Sequence, residues 1–252
     1  MQSFSKSEND RLSKLLKEKL QNNADPKTKQ WFDNYLKGAI EYRGLKTPHV
    51  TAIVKEWYRD NHLDRYSLQQ QLELCSLLIY SPFSEDKFAG TIYIQQFLLS
   101  KIDYKTLLEK SNYLFQKGRF FDWSTTDWFC TRILDPSILS NKIDAATIIS
   151  SWRESRNLWQ RRASIVSFRH PSNDRIYHSL IEQTIEKLIT EKERFIQTGI
   201  GWVLADMSKQ HPSKAEAIFR QYLTEFSKEV IDRHTKHLDS HQELRKLKRQ
   251  LL

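Results

Sequence analysis

The sequence predicts an all-α protein whose helices stack side by side through short links. Apolar residues recur at three- and four-residue spacing along most of the chain, and no segment alternates with the period of two that a half-buried strand needs. Glycine and proline number only six each in 252 residues, too few for the many turns of a β-fold. Helix-start signals return at even intervals, and helices of this length with short links belong to an α-solenoid or a bundle. The even spacing and the lack of a long central helix favour a curved stack, although the helix pairs resemble one another only weakly. Hydrophobic residues at 39% and aromatics at 12% provide enough apolar surface for an ordered core, which excludes a disordered chain. No stretch has linker composition, so residues 1–252 are expected to form a single domain.

The elements follow in order. A first helix is expected over 5–22. Asp25 before Pro26 places an N-cap residue ahead of a proline at the first helical position, opening a helix over 26–42 with Gly44 as its C-terminal glycine. Thr47-Pro48 repeats that signal for 48–61. Ser67 opens 67–80. Ser84, with Glu85 and Asp86 in the first turn where the helix dipole favours acids, opens 85–101. Helices over 104–117 (closed by Gly118), 123–134, 142–153 and 157–169 come next. The last four span 174–190, 193–209, 212–227 and 229–249, and the final charged helix occupies about 229–252. Its Arg245-Lys246-Leu247-Lys248-Arg249 run reads as a solvated face.

Charge narrows the partners. Forty basic against 31 acidic residues give +9 and a pI near 9.4; positive potential speeds and strengthens encounters with polyanions. Six arginines and His170 stand between Arg153 and Arg175 against two acids, Glu154 and Asp174. Such a cluster suits phosphate, which guanidinium binds in bidentate fashion. Cys75 and Cys130 form neither a disulfide framework nor a metal spacing and read as small buried hydrophobes of a reducing compartment. The eight histidines lack ligand spacing, so no metal and no cofactor are expected. The N-terminus has no apolar signal region and the longest uncharged run, Phe88 to Ser100, is too short for a bilayer. A cytoplasmic monomer with no membrane contact is the expectation.

Three strings carry the chemistry: Trp123-Ser124-Thr125-Thr126-Asp127, Asn157-Leu158-Trp159-Gln160-Arg161-Arg162 and Gly199-Ile200-Gly201-Trp202. On a helix Trp123 and Asp127 share a face, as do Trp159 and Arg162. A carboxylate among Trp123, Trp128, Phe129 and Cys130 is costly to bury without a purpose. It can equally be a first-turn aspartate or a partner of Arg132. Gly199 and Gly201, each costing about 1 kcal/mol in a helix, imply close approach by another helix or by a nucleic-acid backbone. Trp31, Trp57, Trp128 and Trp152 read as core packing.

With these residues in view, the chain resembles the DNA alkylation repair glycosylases built from HEAT-like helical repeats. The resemblance rests on Tyr35, Gly44-Leu45-Lys46-Thr47-Pro48, Trp123 with Asp127, Trp159-Gln160-Arg161-Arg162-Ala163 and Ile200-Gly201-Trp202-Val203-Leu204. It spans about residues 30–225. It implies a right-handed α-solenoid with a concave DNA-binding surface. It also implies catalysis by Asp127 with Trp123 and Trp202, and contacts to the DNA backbone from Arg162, with Trp159, Arg161, Tyr35 and Lys46 nearby. Arg161 is an addition at a position often apolar in that family. Ser124 stands where some members carry a second acid.

The implied reaction removes cationic purines alkylated at N3 or N7, such as 3-methyladenine and 7-methylguanine, from double-stranded DNA. The base departs neutral while the sugar becomes oxocarbenium-like, and a fixed carboxylate stabilises that cation. Two other readings use the same residues: a DNA-structure binder without catalysis, and a helical-repeat scaffold for another protein.

Overall fold

Asp25 accepts from the Thr28 backbone N–H at 2.8 Å, and a helix begins at Pro26 as the local sequence requires. The computed structural model describes residues 6–251. Among them no strand forms; one isolated bridge pairs Glu41 with Phe83. The chain divides into two compact units, Met1–Ile133 and Leu134–Leu252.

The first unit holds α1 (Lys6–Asn22), α2 (Pro26–Leu36), α3 (Thr47–Asp60), α4 (Leu68–Ile79), α5 (Ser84–Tyr93), α6 (Tyr104–Gln116) and α7 (Trp123–Phe129). Ser67 and Gln70 close a capping box on α4. Every residue of α5 is buried, because α1, α3, α4 and α7 pack around it. Ser84 is the first residue of α5 rather than its cap; Phe83 holds the cap position and gives no side-chain bond.

The acids that follow Ser84 point inward for a tertiary reason. The Glu85 carboxylate accepts the backbone N–H groups of Arg43 (2.9 Å), Gly44 (2.7 Å) and Leu45 (2.9 Å). Burial raises the Glu85 pKa, and those three N–H groups oppose the rise. Asp86 takes a two-point bond from the Arg43 guanidinium at 2.8 and 2.9 Å and a third from Ser81 at 2.6 Å. This grip on residues 43–45 ends α2 at Leu36, six residues before the expected boundary. Lys37 (φ 52°) and Gly38 (φ 73°) make the left-handed exit. Gly44 is therefore no helix cap. At φ 121° it lies so near the Asp25 carbonyl that a Cβ would stand 2.4 Å from the oxygen.

Inside the same unit Lys87 is buried and donates to the carbonyls of Ile79 and Arg119. Burial pulls its pKa down to about 8. Trp57 is fully buried, as expected.

The second unit holds α8 (Asp135–Ser151), α9 (Leu158–Val166), α10 (His178–Leu188), α11 (Arg194–Met207), α12 (Pro212–Gln221), α13 (Lys228–His234) and α14 (His241–Gln250). α11 packs against α9, α12 and α13. The stretch before residue 142 is helical, not a link. The π-helical turn Cys130–Leu134 precedes Pro136, whose missing N–H would interrupt an ordinary turn. The break falls instead at Lys142 (φ 49°, ψ −129°).

The expected helix over 229–249 is two helices. Thr235, buried, bonds Ile231 O and His241 Nδ1 and turns the chain between them. The basic run at the end is not wholly solvated either. Lys248 is buried and donates to Leu223 O and Thr224 O, both at 3.1 Å, just past the end of α12.

Gly201 lets α13 approach. A Cβ on it would lie 2.6 Å from His234 Cδ2 and 2.9 Å from Val230 Cγ1. Desolvation by that packing, with Arg233 adding repulsion, lowers the His234 pKa to about 4. An unfolded histidine titrates near 6.5, so below that pH the unfolded state binds more protons. The stability held above pH 6.5 is therefore expected to fall as pH drops towards 4, by at most about 1.4 kcal/mol per unit. Denaturant titrations of wild type and His234→Phe near pH 7 and near pH 5 check this. Equal losses in the two proteins would show that His234 is not the group responsible.

Candidate functional site

The short helix α7 is set by its cap. The buried Asp122 carboxylate accepts from Ser124 N (2.8 Å), Ser124 Oγ (2.7 Å) and Thr125 N (3.0 Å), and also from the Thr125 hydroxyl. Ser124, which stands where a second acid occurs in the resembled family, thus spends its hydroxyl on the cap. With the first turn fixed, Trp123 is the opening residue and Asp127 follows one turn later on the same face. Asp127 is 8% exposed; Trp123 is half-buried. The Tyr35 ring stands edge-on to Trp123 at 5.6 Å and 73°. Arg132, a candidate partner for Asp127 in the sequence, has its guanidinium 5.0 Å above the Trp128 ring.

Tyr35 and Lys46 are both on the surface of this unit. Lys46 is the N-cap residue of α3 and is exposed. Its position follows from the Glu85 grip on the residues just before it. Tyr35 is 54% exposed and stacks on Trp31 at 5.1 Å and 17°. Trp31 is 59% exposed, so the expectation that it packs in the core is corrected. Phe32 and Leu36 take the inward row of α2, Phe32 stacking on the buried Tyr42 at 4.0 Å, and this turns the 31/35 row outward. Trp152 is buried as expected, whereas Trp128 is only half-buried.

In the second unit, Asn157 caps α9 through Trp159 N (2.9 Å) and Gln160 N (3.0 Å). Trp159 is half-buried and lies 5.0 Å from the Phe195 ring. Arg162 is 4% exposed and donates to the Phe195 carbonyl. A Cβ on Gly199 would come within 3.2 Å of its Nη1, so Gly199 makes room for that guanidinium. Both glycines of the third string are thereby explained by helix packing.

Arg161 braces the turn before α9. It pairs with Glu191 at 2.9 Å and donates to Ser155 O (2.9 Å) and Arg156 O (3.0 Å). Arg153 bonds Ser150 O at 3.0 Å. Of the six arginines between 153 and 175, Arg156 and Arg175 are exposed and carry no ion pair among the described residues.

Trp202 is half-buried, and the Arg169 guanidinium lies 3.7 Å from its ring centroid. One indole face is therefore covered. Asp206, one turn after Trp202 on α11, holds Arg169 at 2.6 Å and Lys209 at 2.6 Å. Sequence reasoning counted Arg169 within the basic cluster without pairing it to Trp202, and passed over Asp206. The signal was present, since Trp202 and Asp206 have the same four-residue spacing as Trp123 and Asp127.

Among the described residues, no group of three or more His, Cys, Asp or Glu gathers as metal donors, and no helix is long and apolar enough to cross a membrane. No protein with a curated description matches the chain in sequence. Among solved structures, the chain is similar to one described as "Predicted DNA alkylation repair enzyme from Enterococcus faecalis", with a TM-score of 0.74 and 18% identity over 86% of this chain and 97% of that one. That likeness shows a shared fold. The family model "DNA alkylation repair enzyme" matches residues 16–245. Taken with the all-α fold, a match over that much of the sequence means that the chain belongs to the DNA alkylation repair enzyme family.

Proposed function

We propose that the protein is a monofunctional DNA glycosylase that hydrolyses the N-glycosidic bond of cationic N3- and N7-alkylated purines in duplex DNA, opening base excision repair. The observation that carries this is the Asp127 carboxylate, 8% exposed, one turn from the half-buried Trp123 indole on a helix locked by Asp122. A buried, fixed carboxylate is worth most where positive charge develops, here on the departing nucleotide's sugar. Asp127 would stabilise the oxocarbenium-like sugar and orient the attacking water. The Trp123 face, backed by Tyr35, would add a cation–π term of about 0.5–2 kcal/mol. The leaving base starts positively charged and departs neutral, so neither a general acid nor a metal is required.

In the second unit, taken by itself, Trp202 would offer DNA the face that Arg169 leaves open. The guanidinium of Arg169 on the other face suits a neighbouring phosphate better than a sugar cation. Arg156 and Arg175 are the exposed cations suited to the phosphate backbone, with Lys46 in the first unit. Arg162, which bonds the Phe195 carbonyl, would support the backbone contact from within the fold, and Arg161 would act by holding the Ser155–Arg156 turn. The working form would be a cytoplasmic monomer.

The test is base release from duplexes bearing a single lesion. 7-Methylguanine and 3-methyladenine are expected to be released, and uracil and hypoxanthine to remain, because the reading assigns no residue among those described to protonate a neutral leaving base. Trp123→Ala is expected to slow release of the cationic bases without lowering the melting temperature in proportion. Release of uracil at a comparable rate would overturn the charge-based reading. Duplex binding without release of any base would favour the non-catalytic alternative.

A further inference from the structure

We propose that Trp31 and Tyr35 form a stacking platform for an unpaired nucleobase of the DNA. This surface adjoins Trp123 but lies outside the residues that would carry the chemistry. The two rings sit one turn apart on α2, 5.1 Å between centroids and 17° from parallel. They are 59% and 54% exposed, the two most exposed large aromatics among the described residues. Neither is loose. The Trp31 and Phe32 rings meet at right angles with centroids 4.8 Å apart, and Tyr35 is met by Trp123 at 5.6 Å. Two flat side chains already stacked lose little rotamer freedom when a third ring joins them.

The charge around the pair identifies the occupant. Lys27 precedes Trp31 by one turn in the same row and is exposed, as is Asn34 beside it. Of the acids nearest in sequence, Asp33 is held by Lys29 at 2.8 Å and Asp25 caps the helix, while Glu41, six residues past Tyr35, is exposed. A flat apolar face with a cation one turn away fits a base carried on its phosphate backbone. Every base has a π-face, so such stacking is tolerant of sequence. An apolar protein surface would gain nothing from Lys27. Bases in an intact duplex are stacked on each other and offer no free face. The platform therefore selects DNA in which a base has lost its partner, the state produced when its partner is displaced or removed.

The proposal rests on the DNA reading above but not on catalysis, and the experiment separates the two. A duplex carrying 2-aminopurine opposite a tetrahydrofuran abasic analogue is compared with the fully paired duplex of the same sequence. Wild type is expected to quench the 2-aminopurine and to bind the abasic duplex more tightly. Trp31→Ala is expected to lose about tenfold in affinity for the abasic duplex and most of the quenching, with paired-duplex affinity changed less than about twofold. Trp31→Phe is expected to keep most of both. Base release from 7-methylguanine DNA by wild type is measured in parallel. Trp31-dependent quenching without base release would sustain the platform and defeat the glycosylase reading. Base release by a wild type whose affinity and quenching are matched by Trp31→Ala would overturn the platform alone. Loss of self-association in Trp31→Ala, seen by sedimentation with DNA binding unchanged, would assign the patch to a protein contact and also overturn it.

Discussion

Asp127→Asn is expected to slow release of 7-methylguanine by about 100- to 1,000-fold, the cost of deleting one fixed electrostatic stabiliser from a desolvated site. The substitution keeps the shape of the side chain and removes only its charge, so α7 should hold its position through the Asp122 cap, which does not involve Asp127. Affinity for unmodified duplex is expected to stay within about threefold or to rise slightly, since a negative charge near phosphate is lost. Single-turnover release under saturating enzyme separates chemistry from binding. A release rate within about threefold of wild type would remove Asp127 from the mechanism and leave the family fold without the proposed reaction. A release defect matched by an equal loss of melting temperature would point to a structural part for the carboxylate.

The largest expected loss of stability comes from Arg43→Ala. The Asp86 side chain is fully buried and would keep only its Ser81 bond, an almost unpaired charge in the interior. Removing one partner of a buried pair costs about 3–5 kcal/mol, which for a chain of this size lowers the melting temperature by roughly 10 °C. The companion Arg43→Met, Asp86→Leu variant removes both charges and fills the space with apolar side chains. It is expected to recover most of that loss, because the pair itself contributes little beyond the cost of desolvating it. A shift below about 2 °C for Arg43→Ala would mean that the loop does not depend on the ion pair. If the double variant melts as low as the single one, the contact over the Phe83 ring, 4.0 Å from the guanidinium, matters more than the charge.

What the sequence by itself determined was local. The caps at Asp25 and Ser67 lie within three residues of the groups they bond, and the burial of Trp57 and Trp152 follows the apolar period of their own segments. The pairing of Trp123 with Asp127 on one face needs only a helix through both. The order and number of most helices were legible for the same reason. The tertiary structure decided whatever depends on residues far along the chain. α2 stops at Leu36 because Glu85 and Asp86, some forty residues on, hold the loop at 43–45. Trp31 is outside because the Phe32 row found Tyr42 first. Arg161 is a brace rather than a free cation because Glu191 reaches it, and one face of Trp202 is closed because Asp206 steers Arg169 over it. A helical period reports which residues share a face, and a charge count reports how many cations exist. Neither contains the long-range partner that decides which face is covered and which cation is neutralised, because that partner is brought near only when separate helices pack.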